Sequence, residues 1–355
     1  MNDDTFPVDD DGGRHREQVS RYYGSVLEAS SDLRTNACCD PSSAPAWMRE
    51  MLAGVHPEVR ERFYGCGSPL PLAVEARAVL DMGCGTGRDC YLVSRLVGAQ
   101  GRVIGVDMTA EQLAVARRHR AWHARQAGMT ESNVEFLQGP MEDLAALGLA
   151  DASVDVVISN CVLNLAADKR RVFSEIARVL KPGGELHFAD IFADRRLPPE
   201  LAKDPVLVGE CLGGAMYRED FRRLMAELGF NDVRRVGGAP VRVEDAALRV
   251  GLGRASFESL TLRAFKLALE DRCEDYGQTA TYLGTIPQAP DAFELDDHHR
   301  FETGRSVRVC GNTADMLSLT RYAPHFRVEG ERGVHLGLFD CGVPGAADAP
   351  GGACC

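Results

Sequence analysis

The sequence lacks an excess of positive charge, a long apolar run and the cysteine density of small secreted scaffolds. Its 355 residues contain 40 Lys and Arg against 52 Asp and Glu, so the net charge is -12 and repels a phosphate backbone. No stretch approaches the roughly 18 apolar residues of a membrane span, and the start MNDDTFPVDDDGG is acidic where a signal peptide is basic. We therefore expect no nucleic-acid partner, no membrane partner and a cytoplasmic location.

The cysteine content is the unusual part of an otherwise ordinary globular composition. Hydrophobic residues make up 45% and charged residues 26% of the chain, which excludes wholesale disorder and fibrous repeats. Twelve cysteines fall below the roughly 8–10% that marks a disulfide scaffold. In a reducing compartment, thiols serve as ligands or in redox chemistry.

Changes of composition along the chain predict five segments. The first two, rich in acidic residues and then in Ser, Pro and Gly, precede a long region in which apolar runs alternate with helical patterns. The predicted segments are an acidic disordered lead with a short helix (1–29), a cysteine-bearing lid (30–75), an α/β domain (76–237), a smaller α+β C-terminal domain (238–342) and a flexible tail with two final cysteines (343–355).

The pattern of the α/β region predicts a doubly wound parallel sheet covered by helices. We predict strands at Ala78–Met82, Val103–Asp107, Val134–Leu137, Val154–Ser159 and Glu185–Phe192. Helices are predicted at Arg88–Val97, from a capping box at Thr109 to about Ala127, and from Lys169 to Leu180. Carboxyl ends of parallel strands share one crevice, which is where ligands bind in such sheets.

A glycine-rich loop follows the first strand at that crevice. Gly83, Gly85 and Gly87 occupy the first, third and fifth positions of the loop, whereas a dinucleotide fingerprint places its third glycine at the sixth position. Asp81 precedes the loop, and Asp107 ends the second strand about 20 residues on, where an acid accepts ribose hydroxyl bonds. The spacing indicates a nucleotide-like ligand other than a dinucleotide.

Two further features lie near this crevice. The acidic pair Glu142-Asp143 follows the third strand, and Gln112 stands three residues after Thr109. Capping of the helix alone explains Gln112, so a structural role and a cofactor role both remain open for it.

Three cysteines lie in Gly- or Asn-rich loops, and two of them, Cys161 and Cys211, follow predicted strands. Cys66 lies in YGCG, Cys161 in SNCVLNL and Cys211 in GECLGGA, and their spacings exclude a zinc knuckle built on one local hairpin. A loop at the ligand face is a poor place for a small hydrophobe, which favours a functional role for Cys161 and Cys211. Five other cysteines lie outside such loops, and we expect them to be ordinary buried core residues. They are Cys84, Cys90, Cys273, Cys310 and Cys341.

The chain resembles the arsenite methyltransferases in an ordered series of motifs. They run in order as TNACC, RFYGCG, VLDMGCGTGRDCY, GVDMT, SNCVLNL, RVLKPGGEL and GECLGGA, and the stretches around RCEDYGQTATYLGT and GVHLGLFDCG resemble bacterial members. The resemblance implies a class I methyltransferase Rossmann-like fold over the α/β domain. It also implies methyl transfer from S-adenosylmethionine to trivalent arsenic in arsenic detoxification, without a metal cofactor.

Site roles follow from the same resemblance. It implies Cys66, Cys161 and Cys211 as arsenic ligands, and soft thiolates do suit a soft centre. It implies that Cys38 forms a disulfide with Cys66 and reduces the oxidised product, although Cys39 beside it is an alternative. A reductant such as thioredoxin or glutathione then reopens the disulfide. The implied cofactor residues are Tyr64, Asp81, Gly83, Gly85, Asp107, Met108, Gln112, Met141, Glu142 and Asn160.

Two rival functions remain at this stage. One is a non-catalytic arsenic-binding protein on the same scaffold, against which the intact glycine loop and Asp107 argue. The other is a methyltransferase for a small carbon or nitrogen nucleophile, whose site would be lined by carboxylates or aromatics instead of thiols.

Overall fold

A computed structural model describes residues 45–340, apart from four positions, together with Gly13 and Val19. The four positions are Tyr64, Lys203, Glu244 and Asp245. Several predictions therefore lie outside the described residues. Apart from Gly13 and Val19, they are the acidic lead with its short helix, the part of the predicted lid with Cys38 and Cys39, the core position of Cys341 and the tail with the final cysteines. Among the described residues, no helix combines the length and apolarity needed to cross a bilayer.

An eight-stranded mixed sheet forms the centre of the protein. Its strands are β1 (Ala78–Met82), β2 (Arg102–Asp107), β3 (Val134–Gln138), β4 (Val154–Asn160), β5 (Leu180–Ala193), β6 (Met216–Tyr217), β7 (Val233–Val241) and β8 (Phe257–Phe265). The order is β3-β2-β1-β4-β5-β8-β7, with β6 paired to β5. Strands β1 to β5 are parallel, and β8 runs antiparallel to both β5 and β7.

Helices cover this sheet and precede it. They are α1 (Ala46–Ala53), α2 (Pro57–Glu61), α3 (Arg88–Val97), α4 (Ala110–Arg118), α5 (Arg120–Gln126), α6 (Lys169–Val179), α7 (Pro199–Ala202), α8 (Pro205–Gly209), α9 (Arg218–Glu227) and α10 (Ala246–Leu252), with a 3-10 turn at Leu163–Leu165. Helix α6 begins at the Asp168 cap, whose side chain accepts the Arg171 N–H.

Alternating side chains of the strands pack into two separate hydrophobic cores, one on each face of the sheet. Leu80 and Ile104 pack in one cluster with α6 and α9, whereas Val79 and Val103 pack in another with α1 and α3. Successive residues of a strand point to opposite faces, so both faces of the sheet are covered. This is the class I methyltransferase architecture that the sequence predicts.

The C-terminal region adds two small sheets and one helix. Strands β9 (Thr279–Tyr282), β12 (Ser306–Arg308) and β13 (Phe326–Glu329) form a three-stranded sheet in the order β12-β9-β13. Strands β10 (Ala292–Glu294) and β11 (Arg300–Glu302) form a pair, α11 spans Gly311–Ser318, and a 3-10 turn spans Ala323–His325. The predicted boundary at residue 237 falls inside β7, and the central sheet continues to Phe265.

Local details differ from the predictions at three places. The helix predicted from Thr109 to Ala127 is split at His119, whose ring contacts Glu58 of α2 at 2.6 Å. Thr109 precedes α4 without a side-chain cap, so the capping box is wrong. Strand β5 starts at Leu180, earlier than predicted, because Leu180 pairs with Val154 of β4, and Gly183 and Gly184 exchange backbone hydrogen bonds with Lys266.

Candidate active site

An open cavity lies at the carboxyl ends of β1, β2 and β4. This is the crevice in which doubly wound sheets bind their ligands. The structure brings to it every described residue of the predicted cofactor set, and Cys161 as well. These lining residues are Asp81, Gly83, Gly85, Asp107, Met108, Gln112, Met141, Glu142 and Asn160.

The glycine loop bends sharply between β1 and α3. Gly83 and Gly87 have φ of 71° and 82°, in the left-handed region that glycine tolerates. A Cβ on Gly83 would lie 2.2 Å from the Val162 side chain, whereas a Cβ on Gly85 would meet nothing within 4 Å. The loop is thus packed on one side and open on the other, where a ligand can approach the backbone.

Asp107 fixes the same loop from the neighbouring strand. Its carboxylate accepts the Gly85 N–H at 2.8 Å and the Thr109 N–H at 2.8 Å. Burial raises the pKa of Asp107, and these two N–H groups oppose the rise. Asp107 therefore both shapes the loop and presents its remaining lone pairs to the cavity.

Two further buried acids stand beneath the loop. Cys90 donates its S–H to Asp81 at 3.2 Å, and burial together with the nearby Asp89 charge raises the pKa of Asp81. Asp89 pairs with Arg88 at 2.7 Å, and the Arg88 guanidinium lies over the Phe63 ring. These contacts tie the end of the lid segment to the start of α3.

The cavity also contains a polar atom without a protein partner. Glu142 Oε1 is buried and makes no hydrogen bond within the described chain. A buried acceptor of this kind costs free energy unless something satisfies it. Together with the open face at Gly85, it fits a polar ligand such as S-adenosylmethionine.

Asn160 holds the loop that carries Cys66. Its side-chain oxygen accepts the Gly67 N–H at 3.0 Å, and its Nδ2 donates to Gly67 O at 2.8 Å and to Asp89 at 3.0 Å. From β8, Ser259 donates to Cys66 O at 2.9 Å. The Asn160 amide is therefore engaged in positioning this loop as well as lining the cavity.

The three predicted arsenic ligands meet beside the cavity. Cys66 and Cys161 form a disulfide with a Cα–Cα distance of 5.5 Å, and Cys211 Sγ lies 3.2 Å from the Cys161 carbonyl oxygen. The pairing of Cys66 differs from the Cys38 bond implied by the resemblance, because the clamped Cys66 loop lies directly over the end of β4. Cys38 itself lies outside the described residues.

A fourth group, Asp190 of β5, was missed by the sequence analysis. An Asp190 oxygen and the sulfurs of Cys66 and Cys161 all lie within 4.8 Å of one another. Burial raises the pKa of Asp190 to about 7, against the bonds it accepts from Ile191 N and Asn164 N. A charged residue within the apolar run LHFADIF is the signal that could have identified it.

Cys161 and Cys211 also share an uncommon backbone conformation. Both have φ of 60°, in the left-handed region, which side chains with a Cβ enter at a free-energy cost. Such backbone strain is common at functional sites, and here it occurs at two of the three predicted arsenic ligands.

Among the predicted site residues, Tyr64, Cys38 and its alternative Cys39 are those whose placement the structure does not describe. The others lie in one region and divide into cavity-lining groups and a thiol group. Arg88, Phe63 and Asp89 were not predicted as site residues. The position of Asp89, an acid two residues after Gly87, was a signal in the sequence for one of them.

Comparisons with known proteins agree with this geometry. A family model described as methyltransferase domain matches residues 74–229. A second, described as arsenite methyltransferase C-terminal domain, matches residues 276–337.

Full-length relatives carry the same description. The chain is 56% identical to an arsenite methyltransferase of Aquipseudomonas alcaligenes, covering 92% of this chain and 94% of that protein. It is 41% identical to the arsenite methyltransferase of Mus musculus, covering 89% and 84%. The crystal structure of an arsenic(III) S-adenosylmethionine methyltransferase from Chlamydomonas reinhardtii matches with a TM-score of 0.81 and 50% identity, over 84% of this chain and all of that one.

Proposed function

Because this chain belongs to the arsenite methyltransferases, we propose that Cys66, Cys161 and Cys211 hold trivalent arsenic beside a cavity that holds S-adenosylmethionine. The chain is an S-adenosylmethionine-dependent arsenite methyltransferase. The observation that carries the residue assignment is the meeting of three thiol positions from three separate chain segments next to the glycine loop. Three thiolates in a pyramid leave the arsenic lone pair free, and soft sulfur suits this centre.

S-adenosylmethionine supplies a methyl group on a sulfonium centre. The chain's own residues bind and orient the reactants: Asp107 and Glu142 offer acceptors, the glycine loop offers backbone contact, and Cys161 borders both sites. No general base is required, since the nucleophile is a lone pair. The main contribution of the protein is alignment of the two reactants.

Transfer of a methyl group takes arsenic formally to the pentavalent state. Two electrons from a pair of thiolates return it to the trivalent state, and the pair becomes a disulfide. We propose Cys66 as one member of this pair and Cys38 as the other, with Cys39 as the alternative. Thioredoxin or glutathione then reopens the disulfide by thiol–disulfide exchange. We further propose that the protein works in a reducing, cytoplasmic compartment. We also propose that the reaction requires no metal cofactor.

The assignment is tested by incubating the reduced protein with arsenite, S-adenosylmethionine and a thiol, and by separating the arsenic products by mass. Methylated arsenicals and S-adenosylhomocysteine are expected together. Arsenite binding without S-adenosylhomocysteine would instead support a passive binding protein.

Removal of the Asp107 carboxylate should weaken cofactor binding. We expect Asp107→Ala to lose roughly 1.5–3 kcal/mol for each charged hydrogen bond to the cofactor, hence at least about tenfold in affinity. Arsenite binding should change little, because the thiols lie on other segments. Titration calorimetry of each ligand separately measures both effects. Equal cofactor affinity in variant and parent would reject the ribose role of Asp107.

The redox pair should be separable from the arsenic ligands. We expect Cys38→Ser combined with Cys39→Ser to methylate an already methylated trivalent arsenical but to lose turnover of inorganic arsenite. Rates on the two substrates measure this. Full arsenite turnover in the double variant would exclude both residues as the redox partner and leave the Cys66–Cys161 pair as the next candidate.

A further inference from the structure

A second pair of sulfur atoms meets in the C-terminal region. Gly311 N donates to Glu274 O at 2.9 Å, which joins the residues that follow Cys310 and Cys273, and the Cys273 side chain is within hydrogen-bond reach of the Cys310 sulfur, where it lowers the pKa of Cys310. Both residues are buried, and neither lines the cavity described above. The sequence analysis predicted them to be ordinary core residues.

Hydrogen-bond donors surround Cys310. Its sulfur accepts the Thr313 N–H at 3.5 Å in the first turn of α11 and lies 3.2 Å from the Thr313 hydroxyl. Arg234 Nη2, itself buried, points at the same sulfur from 3.8 Å. A cation and a helix N-terminus stabilise a thiolate. The Cys273 hydrogen bond, and then the Arg234 charge, outweigh burial and hold the pKa of Cys310 below its ordinary value.

Arg234 also forms ion pairs with buried carboxylates. It also contacts Asp232 at 2.5 Å and Asp296 at 3.1 Å, and Asp296 in turn contacts His299 at 2.7 Å. The sulfur therefore lies at one corner of a buried ionic cluster, where its donors are held in fixed positions.

Another buried pair provides a contrast within the same chain. The sulfurs of Cys84 and Cys90 lie close together, since a Cβ on Gly105 would be 2.8 Å from each of them. Their neighbour is the carboxyl of Asp81, which accepts from Cys90 at 3.2 Å. Burial raises the pKa of both thiols. One pair thus favours a thiolate and the other favours the neutral thiol.

We propose that Cys273 and Cys310 form a second dithiol site, which binds trivalent arsenicals that have one carbon substituent and two exchangeable bonds. Two neighbouring sulfurs match two exchangeable bonds, and sulfur is the preferred ligand of a soft centre. The product of one methyl transfer belongs to this class once two electrons have returned its arsenic to the trivalent state. The site is independent of the three thiols assigned to substrate binding.

The binding step is a ligand exchange without electron transfer. In R–As(OH)₂ both As–O bonds break and two As–S bonds form, one to each cysteine. The two hydroxides leave as two waters, taking the Cys273 proton and one proton from solvent, because Cys310 enters as a thiolate. Arsenic remains trivalent throughout.

Access depends on the segment that follows residue 335. Phe339 N donates to Cys273 O, and Leu336 N donates to Asp275 O, each at 2.8 Å. The side chains of Leu336 and Leu338 are more than half exposed. A segment held by few buried contacts opens locally at low cost, and its displacement uncovers Cys273 first.

The test uses phenylarsine oxide, which hydrates to R–As(OH)₂, and the full chain with eight cysteines changed to Ser so that only the two buried pairs remain. The eight are Cys38, Cys39, Cys66, Cys161, Cys211, Cys341, Cys354 and Cys355. Native mass spectrometry is expected to show one bound phenylarsine. Adding Cys273→Ser and Cys310→Ser should abolish it, whereas adding Cys84→Ser and Cys90→Ser should not. No adduct in the parent variant, or an adduct that survives loss of Cys273 and Cys310, would overturn the proposal.

A second measurement avoids extensive substitution. In the otherwise unchanged, reduced chain, Cys273→Ser with Cys310→Ser should lower the bound phenylarsine by one equivalent, and an unchanged stoichiometry would overturn the site. Circular dichroism verifies that each variant is folded. S-adenosylmethionine is absent from both experiments, so failure of this site and failure of the proposed methyl-transfer residues give separate results.

Discussion

Cys161→Ser and Cys211→Ser should each reduce arsenite turnover by on the order of a hundredfold or more, because a protonated hydroxyl replaces a soft ligand of the substrate. Both residues come from loops at the edge of the sheet, and the Cys211 sulfur lies against the Cys161 carbonyl. Neither substitution removes a group that shapes the glycine loop. Initial rates with arsenite, at saturating cofactor, measure the effect.

A glycine substitution at Cys211 distinguishes the chemical role of its thiol from any effect of the substitution on folding. Cys211 has φ of 60°, which glycine adopts without a Cβ penalty, so Cys211→Gly should retain the fold and cofactor affinity while losing turnover. Cys341→Ser, a cysteine outside these loops, should retain full rates. Substantial arsenite turnover by Cys211→Gly would show that Cys211 is not a ligand, and the site would then have to be assigned to other thiols.

Glu185→Gln should lower the free energy of unfolding by about 3–5 kcal/mol, because it leaves two buried guanidinium groups without their carboxylate. Glu185 of β5 is fully buried, lies 3.0 Å from Arg263 of β8 and pairs with Arg321 of the C-terminal region. Urea unfolding followed by circular dichroism measures the loss. The matched surface variant Glu302→Gln, whose partners are exposed arginines, should leave the midpoint unchanged. Equal midpoints for the two variants would contradict the role of the buried cluster.

The same carboxylate makes stability depend on pH in a defined direction. Burial acts to raise the pKa of Glu185, but the charges of Arg263 and Arg321 outweigh it and hold the pKa below the ordinary value of 4.5. The ionised Glu185 carboxylate therefore contributes its full stabilisation of the folded state above pH 4.5. This contribution is lost as the pH falls through the lower pKa of the folded state. Over that range the stability of Glu185→Gln should fall less steeply than that of the parent.

Much of the sheet could be predicted from the sequence, because its strands are apolar runs separated by helical patterns and turn signals. Strand β1 and helix α3 lie where the pattern put them. The addition of β8, antiparallel to β5, and of β7 beside it could not be predicted, since strand pairing depends on contacts between residues far apart in the chain. The break at His119, where the ring contacts Glu58 of another helix, likewise had no local signal.

The candidate site shows the same division. Residues in local motifs, such as Gly83 and Asp107, could be assigned to one cavity because strand ends converge there. The Cys66–Cys161 pairing depends on Asn160 and Ser259, which hold the Cys66 loop from two distant strands. The donors around Cys310 come from separate parts of the chain, so composition alone predicted only a buried thiol.

The packing of the C-terminal region sets where this protein can be shortened. Leu72 and Ala73 lie against its apolar cluster, which also contains Phe265 of β8, and Arg321 donates to the Leu72 carbonyl at 2.9 Å. A truncated chain that stops near residue 270 would expose this apolar face and leave a buried acid of the sheet without one of its cations. We expect such a fragment to aggregate, so the stretch between the two matched family regions is a poor site for dissecting the protein.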